Sequence, residues 1–437
     1  MDHAYDCYAK HFFPLDDIMD IFHRQSHMSV AFRLNCKDFP WKRYDGATPA
    51  QTRREFSRLW PAQVHFGAAY KTERHFQLRF YPEKHLEEDT ILTRLATPLA
   101  IDIDLTDYTQ SARTDRADTF PVLRTAVGLR ECPEKPKLDA WLRKEAGDTQ
   151  KITAENFAAL MRRITVPANA ARDLFAEFQK DSGGAVPLQE CEEKLHKMLV
   201  ARFRKSWLFI AIAVEIVSHV LVHNFNCADF FWVVSGNKGV HCIITDEKIC
   251  SLGEQNVQEA LHNFIACENQ AKALFLPGQN KFYCETIYDG SQNLKFCYSV
   301  IAKHMDKILG DQRLYSLANK WILGETSERR RGWARYVEIG AIKAVIFALK
   351  VGLPRLDRNM LQKKHLFKAP FSVNIQTGVV SVPMHVAEIR DLDPSALPTI
   401  TDLQCNQPLF EEKMKAPLRM IKEIAARKRP NIYVHAT

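Results

Sequence analysis

The sequence predicts an α+β protein in which a mixed or antiparallel β-sheet is assembled from distant segments and interrupted by helical insertions. Two observations lead to this fold class. Runs of alternating polar and apolar residues predict strands or hairpins at 64–81, 99–105, 230–245 and 370–383. Between them, two long stretches have the 3.6-residue periodicity of helices, at 109–206 and 255–350.

The composition of the 437-residue chain is that of an ordinary globular protein, with 46% hydrophobic and 26% charged residues. These values exclude a disordered chain, a coiled coil and a collagen. A formal net charge of +8 slightly favours nucleic acid or nucleotide partners. The 11 cysteines form no CxxC pair, which indicates reduced thiols in a cytosolic or nuclear protein.

The most apolar run, residues 207–222, is predicted to be a buried core helix. It is too short for a typical membrane span and contains Glu215 and His219. No membrane partner is therefore expected.

The strand at 99–105 carries a pair of carboxylates on one face. Residues two apart on a strand face the same side, so Asp102 and Asp104 lie about 6.6–6.8 Å apart along the chain. Mg²⁺ or Mn²⁺ would relieve their repulsion, and a two-metal nucleotidyl transfer needs such a pair. By itself, however, an Asp-x-Asp pair is more often a solvated strand face, so spacing alone leaves both interpretations open.

Five motifs together resemble the small, catalytic subunit of archaeal and eukaryotic DNA primases, and they occur in that family's order. They are 65–70 (HFGAAY), 100–108 (AIDIDLTDY), 232–242 (WVVSGNKGVHC), 354–357 (PRLD) and 365–373 (HLFKAPFSV). Each motif is modest alone, whereas five in order are specific. The resemblance implies the primase small-subunit fold, a mixed-sheet catalytic core with a helical insertion subdomain.

The resemblance also assigns roles to individual residues. It implies that Asp102, Asp104 and Asp357 are the catalytic carboxylates and hold two divalent cations, Mg²⁺ or Mn²⁺. It further implies that the incoming nucleotide is bound by Arg43, Ser235, Lys238, His241 and Lys368. Outside these motifs, such residues are more often structural or solvated, so the roles rest on the resemblance.

One departure affects the phosphate site. The family has a double arginine where this chain has Asn237-Lys238. Asparagine cannot make the charge-assisted, bidentate phosphate contact of a guanidinium. Either nucleotide affinity is reduced, or the charge comes from elsewhere, for example from 329–331. Because the three carboxylates are intact, we expect an active enzyme.

A second departure lies in the insert. The family's zinc site ends in C-x-x-C-W, but Phe203 and Ser206 stand at the two cysteine positions, so no structural zinc is predicted. Residues 174–195 have the outline of an EF-hand in which Gln179 and Gly183 remove oxygen ligands. We expect a helical hairpin without calcium there, with 152–164 as its packing partner.

These inferences divide the chain into six predicted segments. They are a first part of the catalytic core (1–108), a mostly helical, partly EF-hand-like insert in place of the zinc motif (109–206), a core helix with the nucleotide-binding hairpin (207–254), a helical subdomain (255–350), a second part of the core (351–410) and a basic C-terminal helix (411–437).

The resemblance implies a DNA primase catalytic subunit that makes short RNA primers from nucleoside triphosphates on a DNA template. The implied partners are a large primase subunit and the DNA polymerase alpha complex, and the location is the nucleus if the organism is eukaryotic. Two alternatives remain open. One is a primase-polymerase of damage tolerance or end repair, and the other is a weakly active, primase-like subunit that binds DNA or a partner.

Overall fold

The computed structural model of the chain describes residues 2–22, 27–34, 41–70, 76–78, 99–105, 108, 135–163, 168–179, 184–236, 239–251, 292–304, 307–308, 352–357, 366–375, 377–393 and 396–428. The helices in these ranges are α1 (Asp2–His11), α2 (Leu15–Phe22), α3 (Pro49–Leu59), α4 (Lys135–Ala146), α5 (Ala154–Arg163), α6 (Ala168–Gln179), α7 (Leu188–His223), α8 (Glu247–Ser251), α9 (Gln292–Ala302), α10 (Val386–Arg390), α11 (Ile400–Cys405) and α12 (Gln407–Lys428). The strands are β1 (His27–Arg33), β2 (Trp41–Ala47), β3 (Gln63–Tyr70), β4 (Phe76–Leu78), β5 (Leu99–Asp104), β6 (Lys151–Ile152), β7 (Val186–Pro187), β8 (Phe230–Val234), β9 (Gly239–Ile244), β10 (Phe367–Lys368) and β11 (Val382–Met384).

The first sheet has five antiparallel strands in the order β10-β3-β1-β2-β4. One of its faces is apolar and buried, with Phe32, Val64 and Phe66 at 0% exposure. The hairpin predicted at 64–81 is wrong, because β3 and β4 do not pair with each other. Both edges of β3 are taken by β1 and β10, so β4 extends the sheet along β2 instead.

The second sheet has four strands in the order β11-β8-β9-β5. The hairpin predicted at 230–245 is confirmed as β8 and β9, which pair from Phe230↔Ile244 to Val234↔Val240. The strand predicted at 99–105 is confirmed as β5, which pairs with β9 at the edge of the sheet. Together the two sheets agree with the predicted α+β class.

The segment 366–384 joins the two sheets. It begins with β10 in the first sheet and ends with β11 in the second. The hairpin predicted at 370–383 is confirmed in its described residues by the bridge Val373↔Val380. Gly378 adopts φ +74° at the turn, a conformation that glycine tolerates better than other residues.

Helix α7 is 36 residues long and belongs to two apolar clusters. From Phe203 onward its apolar side chains pack in the main core between the sheets and helices. In the part of the chain that the structure describes, α7 is the helix with the length and composition to cross a membrane, but 67% of its most apolar window is buried inside the protein. It therefore serves as the core helix predicted at 207–222.

The insert has its own apolar cluster, which includes Phe157, Phe175 and Leu195. Its helices form two helix–loop–helix units, α4 with α5 and α6 with the start of α7, and their loops pair through β6 and β7. The predicted partnership of 152–164 with the hairpin is confirmed, since the rings of Phe157 and Phe175 lie 5.1 Å apart. Of the two EF-hand positions named in the sequence analysis, Gln179 is the last residue of α6, and Gly183 lies outside the described residues.

The predicted basic C-terminal helix begins at Gln407 as α12, slightly earlier than expected. Its apolar row, which includes Phe410, Met414 and Ile421, is buried in the main core. Near its end, Lys428 Nζ donates to Asp229 Oδ2 at 3.0 Å. The helix is thus an integral part of the fold, with its other face exposed to solvent.

The two positions that lack the family's cysteines lie on α7, inside the protein. Phe203 and Ser206 are 1% and 2% exposed. The Phe203 ring stacks on Trp207 with ring centres 5.3 Å apart, and Trp207 Nε1 donates to Ile389 O at 2.7 Å. Aromatic packing therefore fixes this part of α7 against α10.

We expect Phe203→Ala to lower the free energy of unfolding by about 3–5 kcal/mol, because it removes a buried ring and leaves a cavity beside Trp207. Urea denaturation measures the change. The matched control is Leu409→Ala on α12, whose side chain is 42% exposed and should cost less than about 0.5 kcal/mol. Equal losses in the two variants would contradict this role for Phe203.

Candidate active site

The paired carboxylates lie on the edge strand β5, as the alternation of the sequence predicts. Ile101 and Ile103 are buried, whereas Asp102 and Asp104 are partly exposed. Asp104 lies opposite Gly239 on β9. A Cβ atom on that glycine would lie 2.2 Å from Ile103 O, so glycine permits the close approach of the two strands beside Asp104.

His241 lies directly opposite Asp102 in the β5–β9 register. Its Nε2 is 3.4 Å from Asp102 Oδ1, and its side chain is only 10% exposed. The structure therefore brings together a predicted nucleotide-binding residue and a predicted catalytic carboxylate.

The third predicted carboxylate reaches the same strand from a distant segment. Asp357 N donates to Asp102 O at 3.1 Å. Two residues earlier, Arg355 N donates to the Tyr108 hydroxyl at 3.3 Å, and the Tyr108 ring stacks on Phe209 of α7. Backbone contacts thus fix the segment of Asp357 beside the strand that carries Asp102 and Asp104.

The donor chemistry of this site suits a hard divalent cation, because carboxylate oxygens are the preferred ligands of Mg²⁺ and Mn²⁺. Within the described residues, however, no three His, Cys, Asp or Glu side chains are gathered into a group of metal ligands. The fit to divalent cations therefore rests on residue type and on the backbone contact of Asp357.

Lys368 connects the first sheet to this site. It lies on β10 opposite His65, and its Nζ donates to Ser235 O at 2.8 Å. Burial lowers the pKa of Lys368 to about 8, an effect that the negative charge of Asp102 opposes and the positive charge of Arg33 reinforces. Lys368 therefore lies within electrostatic range of both the Asp102 carboxylate and another cation, Arg33.

Ser235 organises the loop between β8 and β9. Its backbone N–H and its hydroxyl both donate to Gly239 O, at 2.9 and 3.0 Å. Gly236 follows with φ +108°, a backbone conformation that other residues rarely adopt. The predicted residue Lys238, like Asn237, lies outside the described residues, so its role stays a prediction.

The remaining predicted residue, Arg43, lies on the first sheet. The register places it opposite Ala31 on β1, and Ala31 is in turn opposite His65 on β3. Arg43 therefore shares the sheet face of Lys368. We call this the polar face of the first sheet, and it carries Arg33, Trp41, Arg43, Gln63, His65 and Lys368.

Sequence reasoning missed Arg33 and Trp41. Arg33 is the last residue of β1, and its guanidinium carbon lies 5.3 Å from the centre of the Trp41 ring. The signal available in the sequence was the two-residue period of a strand, which puts Arg33 on the same side as Ala31. This alternation alone does not show which residues surround Arg33, because that depends on the neighbouring strands and their registers.

Comparison with known proteins agrees with the motifs. The family model described as DNA primase small subunit matches residues 198–386, which include Ser235, His241, Asp357 and Lys368. Asp102 and Asp104 lie before the matched segment. The architecture of helices and antiparallel sheets is consistent with that family's fold.

Relatives named DNA primase small subunit come from several eukaryotes. The Drosophila melanogaster protein is 22% identical over 253 residues, covering 48% of this chain and 56% of the relative. The Schizosaccharomyces pombe protein is 27% identical over 229 residues, covering 46% and 50%, and the Saccharomyces cerevisiae protein is 26% identical over 234 residues, covering 46% and 56%. The chain thus spans about half the length of the curated relatives it matches, and the predicted relationship to primase small subunits is confirmed.

We expect Tyr108→Phe to loosen the segment of Asp357, because it removes the hydroxyl that accepts from Arg355 N. One lost hydrogen bond costs about 0.5–1.5 kcal/mol. Hydrogen exchange measures the effect, and the amides of Arg355 and Asp357 should both exchange faster. The matched control is Tyr44→Phe, which removes a hydroxyl bonded to Glu55. If only the Arg355 amide responds, Tyr108 does not position Asp357.

We expect the pH to control anion binding through Lys368. Because its pKa is about 8, its positive charge is lost as the pH rises through that value, whereas an ordinary lysine stays charged to about pH 10. Affinity for inorganic triphosphate without divalent cations should fall up to about tenfold between about pH 7 and pH 9.

The control for this pH dependence is Lys368→Arg, whose side chain stays charged between about pH 7 and pH 9. The triphosphate itself ionises in the same way in both titrations, so this contribution cancels in the comparison. Isothermal titration compares the two proteins at each pH. A wild-type profile parallel to that of the variant would mean that Lys368 does not contact the anion.

Proposed function

We propose that this relative of DNA primase small subunits is the catalytic subunit of a DNA primase, which synthesises short RNA primers from nucleoside triphosphates on a DNA template. The observation that carries the proposal is the hydrogen bond from Asp357 N to Asp102 O. It joins two carboxylate-bearing segments at strand β5, and His241 lies opposite Asp102 on the neighbouring strand β9.

In the proposed reaction, the residues of the chain bind and orient the reactants. In this proposal Lys368 neutralises a phosphate oxygen near Asp102, and the electrostatic interaction of its ammonium group with that carboxylate supports this role. In this proposal His241 hydrogen-bonds a second phosphate oxygen, and the distance of 3.4 Å from its Nε2 to Asp102 Oδ1 supports this role. Divalent cations held by Asp102, Asp104 and Asp357 would lower the pKa of the attacking 3′-hydroxyl and stabilise charge on the phosphate.

The proposal extends to partners and location. A primase small subunit by name implies a larger subunit, and we propose that this chain acts with one. We further propose that it acts with the DNA polymerase alpha complex in the replication of DNA, in the nucleus if its cell is eukaryotic. The net charge of +8 suits contact with a DNA template through its phosphates.

A primer-synthesis assay tests the function. Purified protein, alone and with a large subunit, is given single-stranded DNA and labelled nucleotides with Mg²⁺ or Mn²⁺. We expect short RNA products, and we expect Asp104→Asn to reduce synthesis by more than about a hundredfold, because it removes a carboxylate that would hold the divalent cations at the reacting phosphate. The matched control is Asp148→Asn, an exposed carboxylate of the insert, which should leave synthesis unchanged.

The same assay separates the alternatives. Products made only from deoxynucleotides would identify a primase-polymerase instead. DNA binding without synthesis under every condition would overturn the enzymatic proposal and leave a binding subunit. Equal activity of Asp104→Asn and the wild type would show that synthesis comes from another site or another protein.

A further inference from the structure

Arg33 occupies the polar face of the first sheet next to the proposed nucleotide site. The register places it opposite Trp41 on β2 and opposite Gln63 on β3. His65 lies two residues after Gln63 on the same face, and Lys368 lies directly opposite His65. Arg33 and Lys368 are therefore two cations on one sheet face, separated by a single strand.

The neighbours of Arg33 hold it without neutralising it. The Trp41 ring lies 5.3 Å from the guanidinium carbon, within the range of a cation–π interaction. The ring of His65 meets the Trp41 ring edge to face at 4.8 Å, which fixes the aromatic platform in turn. Among the described residues, no carboxylate pairs with Arg33, and its buried Nε has no hydrogen-bond partner.

Arg33 also lies close enough to Lys368 to act on it electrostatically. The guanidinium lowers the pKa of the Lys368 ammonium, in the same direction as burial does. Two like charges on one face repel each other, so the arrangement costs free energy unless an anion offsets it. An anion bound between them would convert this repulsion into attraction, as is typical of binding sites with several cations.

We propose that Arg33 is a further phosphate-binding residue, which contacts the triphosphate of the incoming nucleotide together with Lys368. This inference rests on the proposed function, because it concerns the same nucleotide site. A guanidinium presents its donors in a planar fork that matches phosphate oxygens, and stacking on Trp41 pre-organises that fork. Arg33 would thereby supply a guanidinium to the phosphate site of a chain that has Asn237 where the resemblance predicts arginine.

The test measures the affinity of inorganic triphosphate, ATP and AMP by isothermal titration for the wild type, Arg33→Gln and Arg33→Lys. We expect Arg33→Gln to weaken triphosphate and ATP about 10- to 100-fold and AMP less than about twofold, because the lost contact is to the distal phosphates. Arg33→Lys should be intermediate, since it keeps the charge and loses the fork. The matched control is Arg53→Gln, an exposed arginine paired with Asp16 on α2, which should bind as the wild type does.

The outcomes separate this inference from the proposed function. If the wild type binds no triphosphate at all, the proposed function fails. If the wild type binds it and Arg33→Gln binds within about twofold, the inference alone is overturned. The inference is also overturned if Arg33→Gln weakens the binding of AMP and of triphosphate by equal factors. Thermal unfolding checks that each variant folds. If Arg33→Gln does not fold, Arg33→Lys is compared with the wild type instead, and the inference then requires that its affinity for triphosphate and ATP falls more than its affinity for AMP.

Discussion

The candidate site depends on one backbone hydrogen bond, from Asp357 N to Asp102 O. It forms because β5 is an edge strand, with one side paired to β9 and the other side open to a further partner. An open strand edge is usually an aggregation hazard that proteins cover with another segment. Here the segment that bonds to this edge carries Asp357, so the contact at the sheet edge also brings a third carboxylate-bearing segment to the strand of Asp102 and Asp104.

The segment 366–384 imposes a second constraint, because it pairs with both sheets. The backbone of Lys368 pairs with β3 in the first sheet, and its ammonium group donates to Ser235 O, directly after β8 of the second sheet. Additional bonds tighten the junction, including Gln63 Nε2 to Val373 O at 2.6 Å and Ser381 Oγ to Ser372 O at 2.7 Å. The segment that carries Lys368 is therefore bonded to both sheets, including the sheet whose edge strand carries Asp102 and Asp104.

Local patterns predicted what depends on local sequence. The alternation around Asp102, the hairpin that carries His241 and the core helix ending at His223 could all be predicted. The hairpin at 64–81 could not, because which strand fills a sheet edge is decided by competition between distant segments. Arg33 was missed for a related reason, since its neighbours Trp41 and Gln63 come from strands whose registers no local pattern encodes.

The sharing of α7 between two apolar clusters restricts how the insert can evolve. Leu199 packs in the insert and Phe203 in the main core, so only one helical turn separates the two environments. Each residue of a helix advances by about 100° around its axis. Adding or deleting one residue in that turn would rotate the insert by about a quarter of a circle relative to the main core. The number of residues in α7 between the two apolar clusters thus determines the orientation of the insert about the axis of that helix.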